Sequence, residues 1–407
     1  MNTTPLANRK HIAVFGYMNS GKSSIINVLT GQNVSIVSSV PGTTTDPVKK
    51  AMELTGYGPV VFIDTAGLDD SGDLGLMRIQ KSKDILKETD LAIYVIDAEK
   101  DNAISDEMVK LFRHTSTPYI TVINKTDKAA EEKLEELRQA IPGAIEVSAL
   151  KNTGIDNLRT KIAELLREDH EEETLVGDLL PAGSKVILVV PIDSGAPKGR
   201  LILPQVQVIR DCLDHGIKSY VVRDTELASA LEDMPDADLV ITDSQAFNRV
   251  NSVVPANIYL TSFSMLFAHL KGDFDEFIRG ASMVDRLKPD SRILIAESCT
   301  HNHTHEDIGR VKIPRLLNKY TGYQLEYDFC AGRDFAKDVT SYDLVIHCGA
   351  CMVNKKALKS RIADCVNQGI PITNYGIILS KLNGILDRTI EIFAQKKTAD
   401  VTVQDKD

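Results

Sequence analysis

Two short runs rich in cysteine and histidine each follow a strongly apolar segment of the chain. Cys-Thr-His at positions 299–301 comes after the apolar segment 292–296, and His-Cys-Gly-Ala-Cys at positions 347–351 comes after 342–346. Apolar segments of this length are typical of buried strands in a parallel sheet. Ligand-binding residues collect at the carboxyl ends of such strands. We therefore expect the two runs to meet at one edge of one sheet, although 46 positions separate them.

Three thiols and two imidazoles at such an edge predict a metal site, since thiolate-rich sites select zinc or iron–sulfur clusters. The candidate ligands are Cys299, His301, His347, Cys348 and Cys351. The alternative is that these cysteines are simply buried and that the Cys-x-x-Cys spacing arose by chance. Simple burial suits the remaining cysteines, Cys212, Cys330 and Cys365. A closed zinc site would use four of the five ligands, whereas a cubane cluster would take the three thiols and leave one iron open. Composition leaves both metals possible.

Composition narrows the class of protein. The 407 residues suffice for two or three domains, and the net charge of −10 argues against a basic nucleic-acid-binding face. No apolar run approaches the roughly 18 residues that a transmembrane helix needs, and the first residues carry no apolar signal-peptide core. Six cysteines in a chain of this length are not typical of a secreted disulfide framework. We expect a cytoplasmic protein that binds neither nucleic acid nor membrane.

A phosphate-binding loop is predicted near the N-terminus. Residues 16–23 fit the pattern G-x-x-x-x-G-K-S and lie between an apolar strand, 11–15, and a helix, 24–30, which is the context that a P-loop requires. The backbone N–H groups of such a loop surround phosphates, Lys22 reaches the β- and γ-phosphates, and the Ser23 hydroxyl ligates magnesium. The expected phosphate-binding residues are Gly16, Asn19, Ser20, Gly21, Lys22, Ser23 and Ser24.

Four more motifs follow in order along the first 150 residues. Asp64, which ends an apolar strand, is expected in the magnesium shell, and the amide of Gly67 is expected to sense the γ-phosphate. A carboxylate at Asp127 accepts from both N–H groups of a guanine edge, which adenine does not offer. Thr44 lies in a polar loop that is expected to order on the γ-phosphate. The other expected base-pocket residues are Asn124, Lys125, Ser148 and Ala149.

These five motifs in order resemble a small GTPase domain of the translation-factor-related class, over residues 9–165. The resemblance implies that Thr44 binds magnesium through its hydroxyl and acts in catalysis with Lys22, Asp64 and Gly67. Leu68 stands where Ras-like enzymes carry a water-orienting glutamine, which predicts slow hydrolysis of GTP to GDP. Asn19 resembles the asparagine of potassium-activated GTPases, which implies that K⁺ supplies charge at the site.

The GTPase domain is expected over 1–170, with a mixed, mostly parallel sheet. Two smaller α/β domains are expected in the rest of the chain. An acidic linker is expected over 171–184, a dimerisation domain over 185–265, a cluster-binding domain over 266–395 and a frayed tail over 396–407. Apolar segments at 186–190 and 239–241 match those at 292–296 and 344–346, which suggests a duplicated unit. The alternative to duplication is that any two βαβ units look alike. Single helices are expected over 262–279 and 376–394.

A P-loop GTPase domain joined to Cys-x-His and His-Cys-x-x-Cys runs with this separation resembles the HydF family, the GTPases of FeFe-hydrogenase maturation. The resemblance spans nearly the whole chain and implies a dimeric scaffold with a 4Fe-4S cluster on Cys299, Cys348 and Cys351. His301 and His347 are then candidates for an exchangeable fourth site. It also implies that the protein receives a two-iron precursor from radical-SAM enzymes and delivers it to the apo-hydrogenase. A regulatory GTPase with a structural zinc site is the main alternative, and a dithiol enzyme using the Cys348–Cys351 pair is another.

Overall fold

In a computed structural model, the chain is described over residues 4–31, 48–65, 67, 73–100, 104–168, 174–192, 201–298, 308–332 and 335–394, and residues 73–79 by their backbone alone. The chain forms two compact units, Met1–Glu171 and Glu172–Asp407. Among the described residues, no helix is both long enough and apolar enough to cross a membrane. Thr44, Leu68, Cys299, His301, the acidic stretch 169–173 and the tail from 395 onwards lie outside the described residues.

The first unit is built on a six-stranded sheet whose central strands are mostly apolar. Its strands are β1 (Lys10–Gly16), β2 (Val48–Leu54), β3 (Gly58–Asp64), β4 (Leu91–Asp97), β5 (Tyr119–Asn124) and β6 (Ile145–Glu146). Their order is β2-β3-β1-β4-β5-β6; β2 pairs antiparallel with β3 and all other pairs are parallel. The predicted mixed, mostly parallel sheet is thereby confirmed.

Helices cover both faces of this sheet. They are α1 (Lys22–Thr30), α2 (Asp73–Leu86), α3 (Asp106–His114), α4 (Glu131–Ala140) and α5 (Ile155–Glu168). Residues of α1 and α5 join one apolar cluster with the sheet, and residues of α3 join another with the opposite face. Gly31 ends α1 in the left-handed region, φ 63°, where a residue without Cβ is favoured. The sheet is therefore buried on both sides, and its strand ends carry the polar loops.

The second unit contains two four-stranded parallel sheets. The first comprises β7 (Lys185–Val189), β8 (Lys218–Val222), β9 (Leu239–Thr242) and β10 (Tyr259–Ser262), with helices α6 (Leu203–Asp214), α7 (Leu227–Asp233), α8 (Phe247–Asn251) and α9 (Phe263–Lys271). After α10 (Phe274–Ser282), the second comprises β11 (Arg292–Glu297), β12 (Glu326–Ala331), β13 (Leu344–His347) and β14 (Ile372–Asn374). Its helices are α11 (Ile313–Thr321), α12 (Lys355–Asn367), α13 (Tyr375–Leu382) and α14, residues 386–394.

Both sheets have the same strand order. Numbered within each sheet, the strands lie 2-1-3-4, since the orders are β10-β9-β7-β8 and β12-β11-β13-β14. Leu239 pairs with Val186 as Leu344 pairs with Ile293. Val186 therefore corresponds to Ile293, one residue later than the sequence comparison placed it. The shared order and register are what duplication of one α/β unit predicts.

Three predicted segments differ from the structure. The expected helix 262–279 is divided into α9 and α10, with Gly272 between them. Gly272 packs so closely against Phe277 that a Cβ there would lie 2.4 Å from Phe277 Cε2. The expected helix 376–394 is likewise split, with Gly384 at φ 71° between its parts. The acidic linker ends earlier than 184, since Leu175 and Val176 are buried in the core of the second unit. The boundary expected at 265/266 falls inside α9.

Candidate nucleotide and metal sites

The P-loop connects β1 to α1 at the carboxyl edge of the first sheet. Lys22, the first residue of α1, is 8% exposed, and its Nζ donates to the carbonyls of Gly16 at 3.1 Å and Tyr17 at 2.8 Å. Its ammonium therefore lies across the mouth of the loop, where β- and γ-phosphates are bound in P-loop proteins. Ser24, one of the expected phosphate-binding residues, is exposed in the first turn of α1.

Two predicted magnesium ligands are in contact. Ser23 Oγ donates to Asp64 Oδ2 at 2.6 Å, which joins the start of α1 to the end of β3. Gly67 follows, and a Cβ there would lie 2.9 Å from both Cα and N of Met18 in the P-loop. Only glycine fits so close to that loop, which puts the Gly67 amide beside the phosphate-binding backbone. Among the described residues, a hydroxyl and a carboxylate thus meet at the start of α1, and Gly67 packs against the backbone of the P-loop.

Asn124 connects the phosphate loop to the base loop. Its Nδ2 donates to Ser20 O at 2.9 Å, and its Oδ1 accepts from Ala149 N at 3.2 Å. A Cβ at Gly21, φ 93°, would lie 2.2 Å from Asn124 Nδ2, so the contact requires glycine. The side chain therefore braces both loops.

Asp127 is held by the last motif of the first unit. Its Oδ1 accepts from Ser148 Oγ at 2.5 Å, and Ser148 Oγ in turn accepts from Lys151 N at 3.0 Å. The hydrogen bond from Ser148 lowers the pKa of Asp127 below its ordinary value. The carboxyl is thereby kept ionised, which is the form that accepts from two N–H groups of guanine.

Asp97 is a residue that sequence reasoning missed. It ends β4, is 2% exposed, and its Oδ2 accepts from Lys125 Nζ at 2.6 Å. Lys125 has φ 66°, so this ion pair holds a left-handed residue at the entrance of the base loop. The signal was present, because Asp97 ends an apolar strand just as Asp64 does.

The second cysteine run lies at the carboxyl edge of the last sheet, against the residue that precedes the first run. Ser298, which directly precedes Cys299, donates its backbone N–H to Cys348 Sγ at 3.1 Å. Cys348 N donates to Ala296 O at 2.8 Å, which continues the pairing of β11 with β13. The chain that enters the first run thus meets the second run at Ser298 and Cys348, while Cys299 and His301 lie outside the described residues. Within the described part of the chain, no three His, Cys, Asp or Glu side chains form a metal-binding group.

The thiol loop makes a tight turn between its cysteines. Ala350 lies between them at φ 54° and is fully buried. Cys348 and Cys351 are half-buried free thiols. Burial raises the pKa of Cys351, the neighbouring Cys348 raises it further, and the charge of Lys271 opposes both. The turn brings two thiols to one edge, as a Cys-x-x-Cys ligand pair requires.

His347, expected as a candidate ligand, is instead engaged by the protein at both ring nitrogens. Nε2 lies 2.9 Å from Arg361 Nη1 and Nδ1 lies 2.8 Å from Cys348 O. Since a guanidinium only donates, Nε2 accepts and Nδ1 carries the proton. Complete burial, with the nearby Arg361 charge, lowers the pKa of His347 to about 3. His347 therefore supports the thiol loop in this structure and offers no free nitrogen to a metal.

Arg361 from α12 is a second residue that the sequence did not reveal. It is 8% exposed, and besides His347 it donates through Nη2 to Gly332 O at 2.8 Å. It thereby connects the loop after β12 to the last residue of β13. No local pattern signals such a residue, because an arginine on a helix is usually solvated.

Comparisons with known proteins divide the chain in the same way. Residues 11–125 match the 50S ribosome-binding GTPase family. The tRNA modification GTPase MnmE of Ligilactobacillus salivarius is 34% identical over 157 residues, 38% of this chain and 33% of that protein. GTPase Era of Caldicellulosiruptor saccharolyticus is 33% identical over 167 residues, 39% of this chain and 55% of that protein. The chain thus spans about a third of the MnmE relatives and about half of Era.

Among solved structures, the G domain of the T. maritima FeoB iron transporter is similar with a TM-score of 0.30 and 23% identity, over 39% of this chain and 99% of that chain. The second unit matches two other families. Residues 175–272 match the hydrogen maturase F dimerization domain, and residues 275–392 match the hydrogen maturase F tetramerization domain. A GTPase domain followed by these two self-association domains shows that the chain belongs to the hydrogen maturase F (HydF) family, the GTPases of hydrogenase maturation.

Proposed function

We propose that this protein carries a 4Fe-4S cluster on Cys299, Cys348 and Cys351 and serves as the scaffold that delivers a two-iron precursor to apo FeFe-hydrogenase. Radical-SAM maturation enzymes supply that precursor. The cluster contributes one iron without a cysteine ligand, which is an open position for cargo. The chain contributes the thiols, the turn that holds them and the surrounding donors.

The contact between Ser298 N and Cys348 Sγ carries this proposal. The distance of 3.1 Å brings the residue before Cys299 against a thiol that lies 50 positions away in sequence. A backbone N–H on a ligand sulfur is also one of the features that set iron–sulfur reduction potentials. Two half-buried thiols and an amide donor on one edge therefore fit a cluster with three cysteine ligands.

Anaerobic purification with iron, sulfide and zinc analysis tests the proposal. We expect a brown, oxygen-sensitive protein with close to four iron atoms per chain in the wild type and a large loss of iron in Cys299→Ser. Colourless protein with stoichiometric zinc would instead support a regulatory GTPase with a structural zinc site. Transfer is tested by mixing cargo-loaded protein with apo-hydrogenase and measuring hydrogen evolution.

We propose that GTP with Mg²⁺ acts as a switch on this scaffold and does not take part in the iron chemistry. The γ-phosphate is bound between the P-loop and Gly67, whose amide lies beside Met18. A loop held there only in the GTP state changes which surfaces are available to partners. Lys22→Ala should lower GTP hydrolysis by about 10²–10³-fold. Full hydrogenase activation by that variant would show that the switch is dispensable.

We also propose that K⁺ activates hydrolysis through Asn19. Asn19 is exposed at φ 62° in the P-loop, so its side chain is presented at the surface of the phosphate site. Hydrolysis should rise when Na⁺ is replaced by K⁺, and Asn19→Ala should remove that rise. Equal rates in the two salts would contradict the proposal.

Strand β8 is the proposed contact between two copies. It is an edge strand of its sheet and exposes Tyr220 by 37% and Val221 by 42%. An uncovered apolar edge strand pairs readily with the same strand of another chain, and a two-fold axis places the two copies antiparallel. The dimerization-family match over 175–272 includes this strand.

A further inference from the structure

Lys271 joins the dimerization domain to the thiol loop of the following domain. It is the last residue of α9 and only 4% exposed. Its Nζ donates to Val353 O at 3.1 Å and to Ala350 O at 3.4 Å, and lies 5.5 Å from the centre of the Phe267 ring. A side chain from the first α/β copy therefore reaches the loop that carries Cys348 and Cys351.

Lys271 adds a side-chain donor to the backbone of the thiol loop. Ala350 is held in the left-handed region at φ 54°, which costs an alanine about 1 kcal/mol. Within the turn, Ala350 O also accepts from Val353 N at 3.4 Å, and removing a donor from a buried carbonyl costs about 1–3 kcal/mol. Lys271 donates to the carbonyls of Ala350 and Val353, so it stabilises the one turn that brings the two thiols together.

The charge of Lys271 also suits an anionic neighbour. A buried ammonium is costly unless opposite charge or good acceptors surround it. Carbonyl dipoles and the Phe267 ring face offset part of that cost. Deprotonated thiols, as a metal requires them, bring negative charge to the same loop.

We propose that Lys271 is a positioning residue for the metal site: it holds the 348–353 loop in its ligating shape and places a positive charge beside the bound cluster. The first half of this inference concerns the metal-free protein. The second half rests on the proposed cluster. Because Lys271 belongs to the dimerization domain, the geometry of the metal site depends on how that domain packs on the next one.

Hydrogen exchange on the metal-free, full-length protein tests the first half. In Lys271→Met, which keeps side-chain length and apolar contact, amides 349–353 should exchange about tenfold faster than in the wild type. Amides of β11 and β13 should be unchanged, which excludes general unfolding. Lys381→Met is the matched control, since Lys381 lies near the end of α13 and pairs with Asp285 at 2.8 Å. Unchanged exchange at 349–353 would overturn the inference.

The reduction potential of the reconstituted protein, followed by electron paramagnetic resonance, tests the second half. A nearby positive charge favours the more negative, reduced cluster, so Lys271→Met should shift the potential downwards. We expect the reduced-to-oxidised ratio at fixed potential to fall about tenfold, which is about 59 mV for one electron. A potential equal to that of the wild type and of Lys381→Met would refute the charge role.

The two proposals fail in different ways. If the wild type binds no iron after reconstitution, the proposed cluster and the charge role are both overturned, and the exchange result alone decides whether Lys271 holds the loop. If the wild type binds a full cluster and Lys271→Met matches it in both exchange and potential, the scaffold function stands and this inference is overturned.

Discussion

The two α/β copies of the second unit share a backbone plan and differ at one edge. In both, a carboxylate before the third strand accepts the first N–H of the first strand: Asp238 from Lys185 at 2.8 Å, and Asp343 from Arg292 at 2.9 Å. The amino-terminal edges are thus chemically equivalent.

The carboxyl-terminal edges of the two sheets are not chemically equivalent. Thr242 and Asp243 of the first copy correspond to His347 and Cys348 of the second. In the first copy the edge carries hydroxyls, with Ser244 Oγ 2.6 Å from Ser264 Oγ. In the second it carries thiols, backed by buried Arg361. The two sheets therefore share a framework, while the loops after their strands differ, because loop residues are free of the pairing that fixes the strands.

The largest expected difference between the two copies is in bound iron after a thiol is removed from each. Cys348→Ser is expected to lose most of the bound iron, since a hydroxyl is a poor replacement for a thiolate. Cys212→Ala, a fully buried thiol on α6 of the first copy, should keep its iron. Iron and sulfide analysis of anaerobically prepared protein is the measurement. Equal iron loss in both variants would mean that the loss reflects folding and not ligation.

Removing the brace behind the thiol loop should have the next largest effect. Arg361→Met leaves His347 Nε2 and Gly332 O without this donor, and we expect the second unit to lose about 2–4 kcal/mol of unfolding free energy. Urea unfolding checks this. Lys359→Met, an exposed site on the same helix, should stay within about 0.5 kcal/mol of the wild type. A loss as small for Arg361 as for Lys359 would show that the brace is not needed.

A charge on the edge strand of each copy tests which edge makes the dimer. Val221→Lys on β8 should weaken dimer formation by about tenfold or more, because lysine on an edge strand opposes pairing. Phe329→Lys, on the corresponding edge strand β12 and 37% exposed, should leave the dimer intact. Sedimentation velocity of both variants gives the result. The opposite pattern would move the dimer contact to the second copy.

The smallest expected effect tests the equivalence itself. Asp238→Ala and Asp343→Ala each remove one hydrogen bond from a backbone N–H at the same position of the fold. Each should cost about 1 kcal/mol of unfolding free energy. The two losses, measured in urea, should agree within about 0.5 kcal/mol. A difference above about 1 kcal/mol would contradict equivalent roles at the two amino-terminal edges.

Local sequence was enough to place the nucleotide site. Lys22, Ser23, Asp64, Asn124 and Asp127 each lie in a short motif at a strand end, and such motifs carry their own backbone geometry. Strand pattern also predicted the edge where Ser298, the residue before the first cysteine run, meets Cys348 of the second, because parallel strands in one sheet end on the same side. Local sequence placed helix ends less well where glycine broke a helix, since packing against Phe277 decided the break at Gly272.

The sequence by itself determined the chemistry of this protein: a P-loop with its guanine-reading motifs, and thiols in a pattern that suits a metal. Only the tertiary structure decided what His347 does, because Arg361 lies 14 positions away on a helix and reaches its ring only after α12 packs on the sheet. The same holds for Lys271, which reaches the carbonyl of Val353, 82 positions away, across two domains. Such contacts depend on how separate elements pack, and no local pattern encodes that.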